Sequence, residues 1–298
     1  MNNITCFTHN DLDGVVSSLV VRWFHPSNKV VVVPVSSNSF RSVYTHWMLH
    51  NTPTDHKIFI TDLDIHEDID LIDSSNVTVI DHHATHDTHK YNKAEVVVRE
   101  ASSASMMVYK HLSEKNPDIE LNRAQKTLII LADDYDSYTL AIPDSSKLNT
   151  VYFNTQNRFE VFSNQWANGF DGFTTQQDNH YRLLVKERDQ VLNSLEGYQC
   201  EQLKIGSKTL NVVATYAKSF INEVADYMLE HLKADIVFVV NLQTQRVSVR
   251  RSKECIFPVN KLAAAVLDGG GHEAAAGGKI TEEFIELTKK LKPVFTGN

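Results

Sequence analysis

The sequence predicts an α/β fold: an N-terminal domain built on a parallel sheet, then a smaller C-terminal α/β domain. Three observations carry this. Short apolar or β-branched runs at Ile4–Thr8, Val30–Val33, Ile58–Thr61 and Val77–Ile80 read as strands. Helix-like stretches alternate with them, which argues a parallel sheet. A second series of strands and helices starts near Cys200, after an amphipathic stretch from His180 to Leu195 that reads as a linking helix. The expected division is residues 1–180, a helical linker at 181–199, and 200–298.

In the first part, Val16, Leu19, Val20 and Trp23 fall at helical spacing, and the helix ends before Pro26. Val30–Val33 is apolar throughout, as expected of a strand covered on both faces. Polar residues 36–54 leave room for a short helix around Arg41–His50, and Glu67–Asp73 reads as a short acidic helix. Ser102–Leu112 reads as a helix with small residues first. Asn122–Ala132 is a clearer one, with Asn122 as its cap. Residues 138–175 show no period and read as an insertion or loop-rich cover.

Three of the strands end in ligand-capable side chains. Ile4–Thr8 runs into His9-Asn10-Asp11-Leu12-Asp13-Gly14, Ile58–Thr61 into Asp62-Leu63-Asp64, and Val77–Ile80 into Asp81-His82-His83. One acid after a strand is ordinarily a turn residue or a helix cap. If the three strands are parallel and adjacent, however, His9, Asp11, Asp13, Asp62 and His82 converge at the sheet edge where open α/β folds hold ligands. So many like charges repel unless cations hold them. An oxygen-rich set with imidazoles and no thiolate suits Mn²⁺, Mg²⁺ or Co²⁺ better than a structural zinc. Ala84–His89 adds further possible ligands, though a polar loop explains them as well. A fourth acidic cluster, Asp133-Asp134-Tyr135-Asp136, follows an apolar helix where acids are unfavourable, which suits a completing metal ligand.

The C-terminal part reads as a strand at Thr209–Ala214, a helix at Ile221–Leu232, strands at Asp235–Asn241 and Gln245–Arg250, and a helix at Lys261–Leu267. It then enters Gly269-Gly270-Gly271-His272, and the alanines that follow read as a tightly packed helix start. Consecutive glycines allow positive φ or a close approach of backbone to a ligand, and N–H groups there could cradle a phosphate. Arg250 and Arg251 offer guanidinium groups for the same purpose, though exposed arginines are often simply solvated.

The formal net charge of -8 argues against a broad basic surface for long nucleic acid. Cys6, Cys200 and Cys255 form no CxxC pair, which fits a reducing compartment. The first residues show no basic region followed by an apolar core, and no apolar run has the length of a membrane span. A cytoplasmic protein without membrane partners is expected.

These pieces, in this order, resemble the DHH phosphoesterase family, in its DHH–DHHA1 form and with the flavour of the small oligoribonucleases (nanoRNases). The resemblance implies an N-terminal domain holding two Mn²⁺ ions, with Mg²⁺ or Co²⁺ as possible substitutes, and a DHHA1 domain that closes over a substrate cleft. It implies one ion on His9, Asp11 and Asp62, and the other on Asp13, Asp62, His82 and Asp133. Asp133, Asp134 and Asp136 compete for that last place, and Asp133 is favoured because it directly follows the apolar segment. His83 would face the scissile phosphate and Asp81 would orient the histidines. Arg250 or Arg251, Gly269, Gly270, Gly271 and His272 would bind the terminal phosphate and nucleotide. The implied activity is two-metal hydrolysis of very short oligonucleotides to mononucleotides. The alternatives are a linear or cyclic dinucleotide, a 3′-phosphoadenosine 5′-phosphate-type monoester, or a non-catalytic nucleotide-binding regulator. A homodimer is a possible assembly.

Overall fold

The computed structural model describes residues 3–83, 86–99, 101–206, 208–271 and 273–294. The chain divides into two units, Met1–Tyr181 and Arg182–Asn298.

The first unit runs β1 (Asn3–Thr8), α1 (Leu12–Trp23), β2 (Lys29–Pro34), α2 (Ser37–His50), β3 (His56–Thr61), α3 (Ile69–Ile72), β4 (Val77–Asp81), β5 (Glu95–Val98), α4 (Ala104–Lys115), α5 (Arg123–Asp136), α6 (Pro143–Phe153) and α7 (Arg158–Gln165). α8 (Thr175–Asn193) crosses into the second unit. Among the described residues the sheet order is β2-β1-β3-β4-β5, and every neighbouring pair is parallel. The predicted parallel α/β sheet is therefore present.

The pleat sends alternate strand residues to opposite faces. Ile4, Cys6, Phe59 and Ile80 pack with α1, α4 and α5 in one core. Phe7, Ile58, Ile60, Val77 and Val79 pack with Phe40 and Tyr44 of α2 and Ile72 of α3 in another. The chain leaves β1 for β2 on one side and returns to β3 on the other. The carboxyl ends of β1 and β3 thus flank a topological switch point, the usual ligand position in open α/β sheets.

Two expectations are corrected here. Val30–Val33 lies in the edge strand β2, where Val31 is 41% exposed, so its apolar run does not mark a strand covered on both faces. Residues 138–175 are not a loop-rich cover. They hold α6, α7 and the start of α8, and Tyr152, Phe162, Trp166 and Phe170 are buried in the α1 core. At about 1.5–3 kcal/mol for each large apolar side chain buried, these residues are part of the domain's stability.

The second unit holds β6 (Gly197–Ile205), β7 (Lys208–Tyr216), α9 (Ile221–His231), β8 (Ile236–Asn241), β9 (Arg246–Arg251), α10 (Val259–Val266), β10 (Gly270–Gly271), β11 (Ala275–Lys279), α11 (Glu282–Thr288) and β12 (Lys292–Val294). Its sheet order is β10-β11-β9-β8-β7-β6-β12, with β7–β8 the parallel pair among otherwise antiparallel neighbours. The alanines after the glycine run belong to strand β11, which corrects the expected helix start. Gly269 and Gly271 allow close backbone packing: a Cβ on Gly269 would stand 2.0 Å from the Gly277 carbonyl oxygen, and one on Gly271 2.7 Å from the Ala275 carbonyl oxygen. Among the described residues, no helix is long and apolar enough to cross a membrane.

Candidate active site

The three strand ends do lie side by side, in the order β1, β3, β4. Each delivers its acids by a different local device. After β1 the chain turns into α1, and Asp11 is the N-cap, its Oδ1 accepting from Gly14 N–H at 2.9 Å. Its Oδ2 accepts from His9 Nδ1 at 2.6 Å. Asp11 thus caps α1 with one oxygen and meets His9 with the other. Gly14 allows the tight entry, since a Cβ there would meet the His9 carbonyl oxygen at 2.1 Å.

Asp13, in the first turn of α1, is 2% exposed, and its two oxygens accept from the Ala104 and Ser105 N–H groups at the start of α4. After β3, Asp62 takes φ 58°, in the left-handed region that Asp tolerates better than most residues. That turn buries its carboxylate to 3% exposure, with Oδ1 3.5 Å from His82 Nε2 and Oδ2 3.9 Å from His9 Nδ1. After β4, His82 Nδ1 donates to the Ala101 carbonyl at 3.4 Å, which leaves Nε2 facing the acids. His83 Nδ1 donates to Asp81 Oδ1 at 2.6 Å.

The fourth contribution comes from α5. His82 Nε2 lies 3.4 Å from Asp136 Oδ2. Asp133, the favoured candidate, does not reach the cluster in this way. Its Oδ1 accepts from Ser102 Oγ and Ser103 Oγ at 2.5 and 2.6 Å. Asp134 is committed to structure, accepting from the Ala141 and Ile142 N–H groups and from Ser145 Oγ. Of the acids on α5, it is Asp136 whose carboxylate lies with Asp13 and His82 in a group able to hold an ion. Asp133 and Asp136 are three residues apart on one helix, and only the helix's approach to His82 selects between them.

The electrostatics test whether cations fit. Burial pushes the Asp62 carboxyl well above its ordinary range, and repulsion from Asp11, Asp13, Asp136 and Asp81 adds to it. Burial, then Asp13, Asp11 and Asp133, does the same to Asp136. Oδ2 of both residues is buried without a hydrogen-bond donor among the described residues. Asp81 behaves in the opposite way. Burial pushes its carboxyl up, but hydrogen bonds from His83 and His86 reverse this and hold it well below the carboxylate range.

Ligand atoms lie within 4.8 Å of one another in three groups: His9–Asp11–Asp62, Asp62–His82–His83 and Asp13–His82–Asp136. Asp62 and His82 each belong to two groups. Oxygen and imidazole donors with orphaned buried carboxylate oxygens are what hard or borderline divalent cations satisfy.

The DHH family N-terminal domain matches residues 3–133, and the DHHA1 domain matches residues 209–296. The chain belongs to the DHH phosphoesterase family. It is 25% identical to oligoribonuclease NrnB of Bacillus subtilis (strain 168) over 300 residues, covering 94% of this chain and 74% of that relative. The fold is shared with the pGpG-specific phosphodiesterase PggH of Vibrio cholerae, with TM-score 0.58, 14% identity and 97% of each chain covered. It is also shared with exonuclease RecJ bound to manganese, with TM-score 0.56, 15% identity, and 96% of this chain and 88% of that one covered.

In the DHHA1 part, Arg250 Nη1 donates to the Val249 and Ala276 carbonyls and its Nη2 to Asn222 Oδ1 at 2.9 Å. Arg251 Nε donates to the Glu273 carbonyl at 3.2 Å, and its Nη1 to the Cys255 carbonyl. Both guanidiniums hold backbone of their own unit. Gly270 and Gly271 form β10, and His272 lies outside the described residues. His86, one of the further possible ligands in Ala84–His89, has both ring nitrogens engaged beside Asp81. Its one sequence signal is the spacing Asp-His-His-x-x-His.

Proposed function

We propose that the chain is a Mn²⁺-dependent phosphodiesterase that hydrolyses very short oligoribonucleotides to mononucleotides. The observation that carries the metal requirement is the pair of buried, donorless oxygens: Asp136 Oδ2, 3.4 Å from His82 Nε2, and Asp62 Oδ2, 3.9 Å from His9 Nδ1. His9, Asp11 and Asp62 would hold one ion, and Asp13, Asp62, His82 and Asp136 the other. When bound, divalent cations supply Lewis acidity to the phosphate oxygens and to a water nucleophile.

The chain's own residues do the rest. Burial works against charge on His83, but the Asp81 carboxylate outweighs it and raises the imidazole pKa. His83 Nδ1 is committed to Asp81, and the ring is proposed to meet a phosphate oxygen. There a charged imidazole stabilises negative charge or protonates the leaving oxygen. Arg250, Gly269, Gly270, Gly271 and His272 are proposed to bind the distal phosphate and nucleotide, while the Arg251 guanidinium is held by the Glu273 and Cys255 carbonyls.

The short substrate is supported by the relationship to an oligoribonuclease and by the net charge of -8, which disfavours a long electrostatic groove. A cytoplasmic setting suits three free cysteines.

The test is turnover by chelator-treated protein resupplied with Mn²⁺, Mg²⁺, Zn²⁺ or Ca²⁺. Substrates are pGpG, pApA, 5-mers, 20-mers, a cyclic dinucleotide and 3′-phosphoadenosine 5′-phosphate, with products separated by chromatography. Short linear substrates with Mn²⁺ should react fastest. Activity surviving exhaustive chelation overturns the metal assignment, and a 20-mer cleaved as fast as a 2-mer overturns the length limit.

A further inference from the structure

We propose that His86 is a positioning residue that holds the Asp81 carboxylate, and through it the His83 imidazole, in one orientation toward the reacting phosphate. The inference rests on the reading of His83 given above and adds a residue to it.

Asp81 is fully buried and shares its two oxygens between two imidazoles. Oδ1 accepts from His83 Nδ1 at 2.6 Å, and Oδ2 accepts from His86 Nδ1 at 2.7 Å. The His86 side chain is itself 0% exposed. Its far nitrogen, Nε2, pairs with the Tyr91 hydroxyl at 2.9 Å. Burial pushes the Tyr91 phenol well above its ordinary pKa, so it stays protonated and donates. That donation fixes the His86 tautomer: Nε2 accepts, Nδ1 carries the proton, and the proton goes to Asp81. The line Tyr91–His86–Asp81–His83 is therefore directional from end to end.

A carboxylate held on one oxygen alone can swing about its Cβ–Cγ bond, and His83 would swing with it. Held on both, it cannot move without breaking a hydrogen bond between buried groups. Misplacing a reacting group by about 1 Å costs on the order of 100-fold in rate. His86 is not a spare metal ligand, because neither ring nitrogen has a free lone pair. The nearest other acid, Asp64 Oδ1, lies 4.0 Å from Nδ1 and pairs with His66 Nδ1 at 2.5 Å.

Three variants separate position from structure. His86→Leu removes the donor and keeps bulk. His86→Asn keeps a donor, since its amide nitrogen takes the place of Nδ1. Tyr91→Phe removes only the far hydrogen bond. Each is assayed on pGpG with Mn²⁺, analysed for bound Mn²⁺, and examined by NMR of ¹⁵N-histidine-labelled protein for the His83 Nδ1–H signal. His86→Leu should lower kcat about 10- to 100-fold with KM nearly unchanged and full metal content. His86→Asn should recover most of that loss, Tyr91→Phe should fall between them, and the His83 signal should follow the same ranking.

The proposal is overturned if His86→Leu leaves kcat and the His83 signal unchanged, if His86→Asn is as impaired as His86→Leu, or if His86→Leu loses metal. If the wild-type protein cleaves no substrate in the panel, the functional reading fails, and the His83 signal still decides the positioning by itself.

Discussion

Asp136 Oδ2 lies 3.4 Å from His82 Nε2, while Asp133, one turn earlier on α5, is held by Ser102 and Ser103. The two acids therefore differ in what their loss removes. Asp136→Asn should lower the Mn²⁺ bound per chain and reduce turnover by at least ~10- to 100-fold. Asp133→Ala strands two serine hydroxyls, one of which caps α4. It should lower the melting temperature, by on the order of 1 kcal/mol of stability, and leave metal content near the wild-type level. Metal analysis beside thermal melts reads both, and the reverse pattern would restore Asp133 to the ligand set.

Asp62 gives a prediction with opposite signs for stability and activity. Its folded-state pKa is raised by burial and by its neighbouring acids. Between the unfolded value of 3.8 and that raised value, the folded protein binds the extra proton. Stability of the metal-free protein therefore falls as pH rises through that window. Asp62→Asn removes the charge, and Asn also tolerates the left-handed backbone that this position takes. In chelator at pH 7.5 the variant should melt above the wild type, and the gap should close as pH is lowered. Mn²⁺ should raise the wild-type melting temperature and restore its turnover, and should do neither for the variant. A variant less stable than wild type in chelator would mean that repulsion is not what dominates at this carboxylate.

The strand ends were legible because each pairs a short apolar run with an abrupt change to acid or imidazole, and parallel pairing then brings them together without further information. Asp133 against Asp136 was not legible. Both follow the same apolar stretch, and the choice depends on how α5 meets β4, a tertiary relation. Residues 138–175 stayed dark for a related reason. Tyr152, Phe162 and Trp166 are core residues on two short helices, too short for a hydrophobic period to stand out among their polar neighbours. The glycine run had two readings in the sequence, because close approach to a carbonyl of the same sheet demands glycine as strongly as a phosphate does, and Gly269 makes such an approach.

Asp73 closes the loop that leads into β5. Its carboxylate accepts from three successive backbone groups, Asn92, Lys93 and Ala94. Those bonds, from Ala94 and Lys93 foremost, pull its pKa down to about 2. For an acid with a depressed folded-state pKa, the stabilisation is fully present above the unfolded value and is lost as pH falls through the folded one. Asp73→Ala should therefore melt below wild type at pH 6, and the difference should shrink between pH 4 and pH 2. Amide exchange at residues 92–94 should speed up in the variant at pH 6. Equal exchange in both proteins would show that the loop is held by something else.

The last prediction separates substrate binding from chemistry in the DHHA1 domain. Arg251 is fixed by the Glu273 and Cys255 carbonyls. Its replacement by Ala frees backbone at Cys255, in the β9–α10 connection, and at Glu273, before β11, and should chiefly lower the melting temperature. Arg250 sits on β9 opposite Ala275, directly beside the glycine-bearing strand β11, and its guanidinium also reaches Asn222 on α9. If it grips the distal nucleotide, Arg250→Ala should raise KM for pGpG strongly. It should also lower kcat, because remote binding energy positions the reacting phosphate. Bound Mn²⁺ should not change, since Arg250 belongs to none of the three ligand groups. Bis-p-nitrophenyl phosphate lacks a distal nucleotide, so its slow hydrolysis should stay near the wild-type rate in Arg250→Ala and vanish in Asp62→Asn. Loss of the generic activity in Arg250→Ala as complete as in Asp62→Asn would show that Arg250 serves the fold or the metals, and the distal nucleotide would then need another cation to hold it.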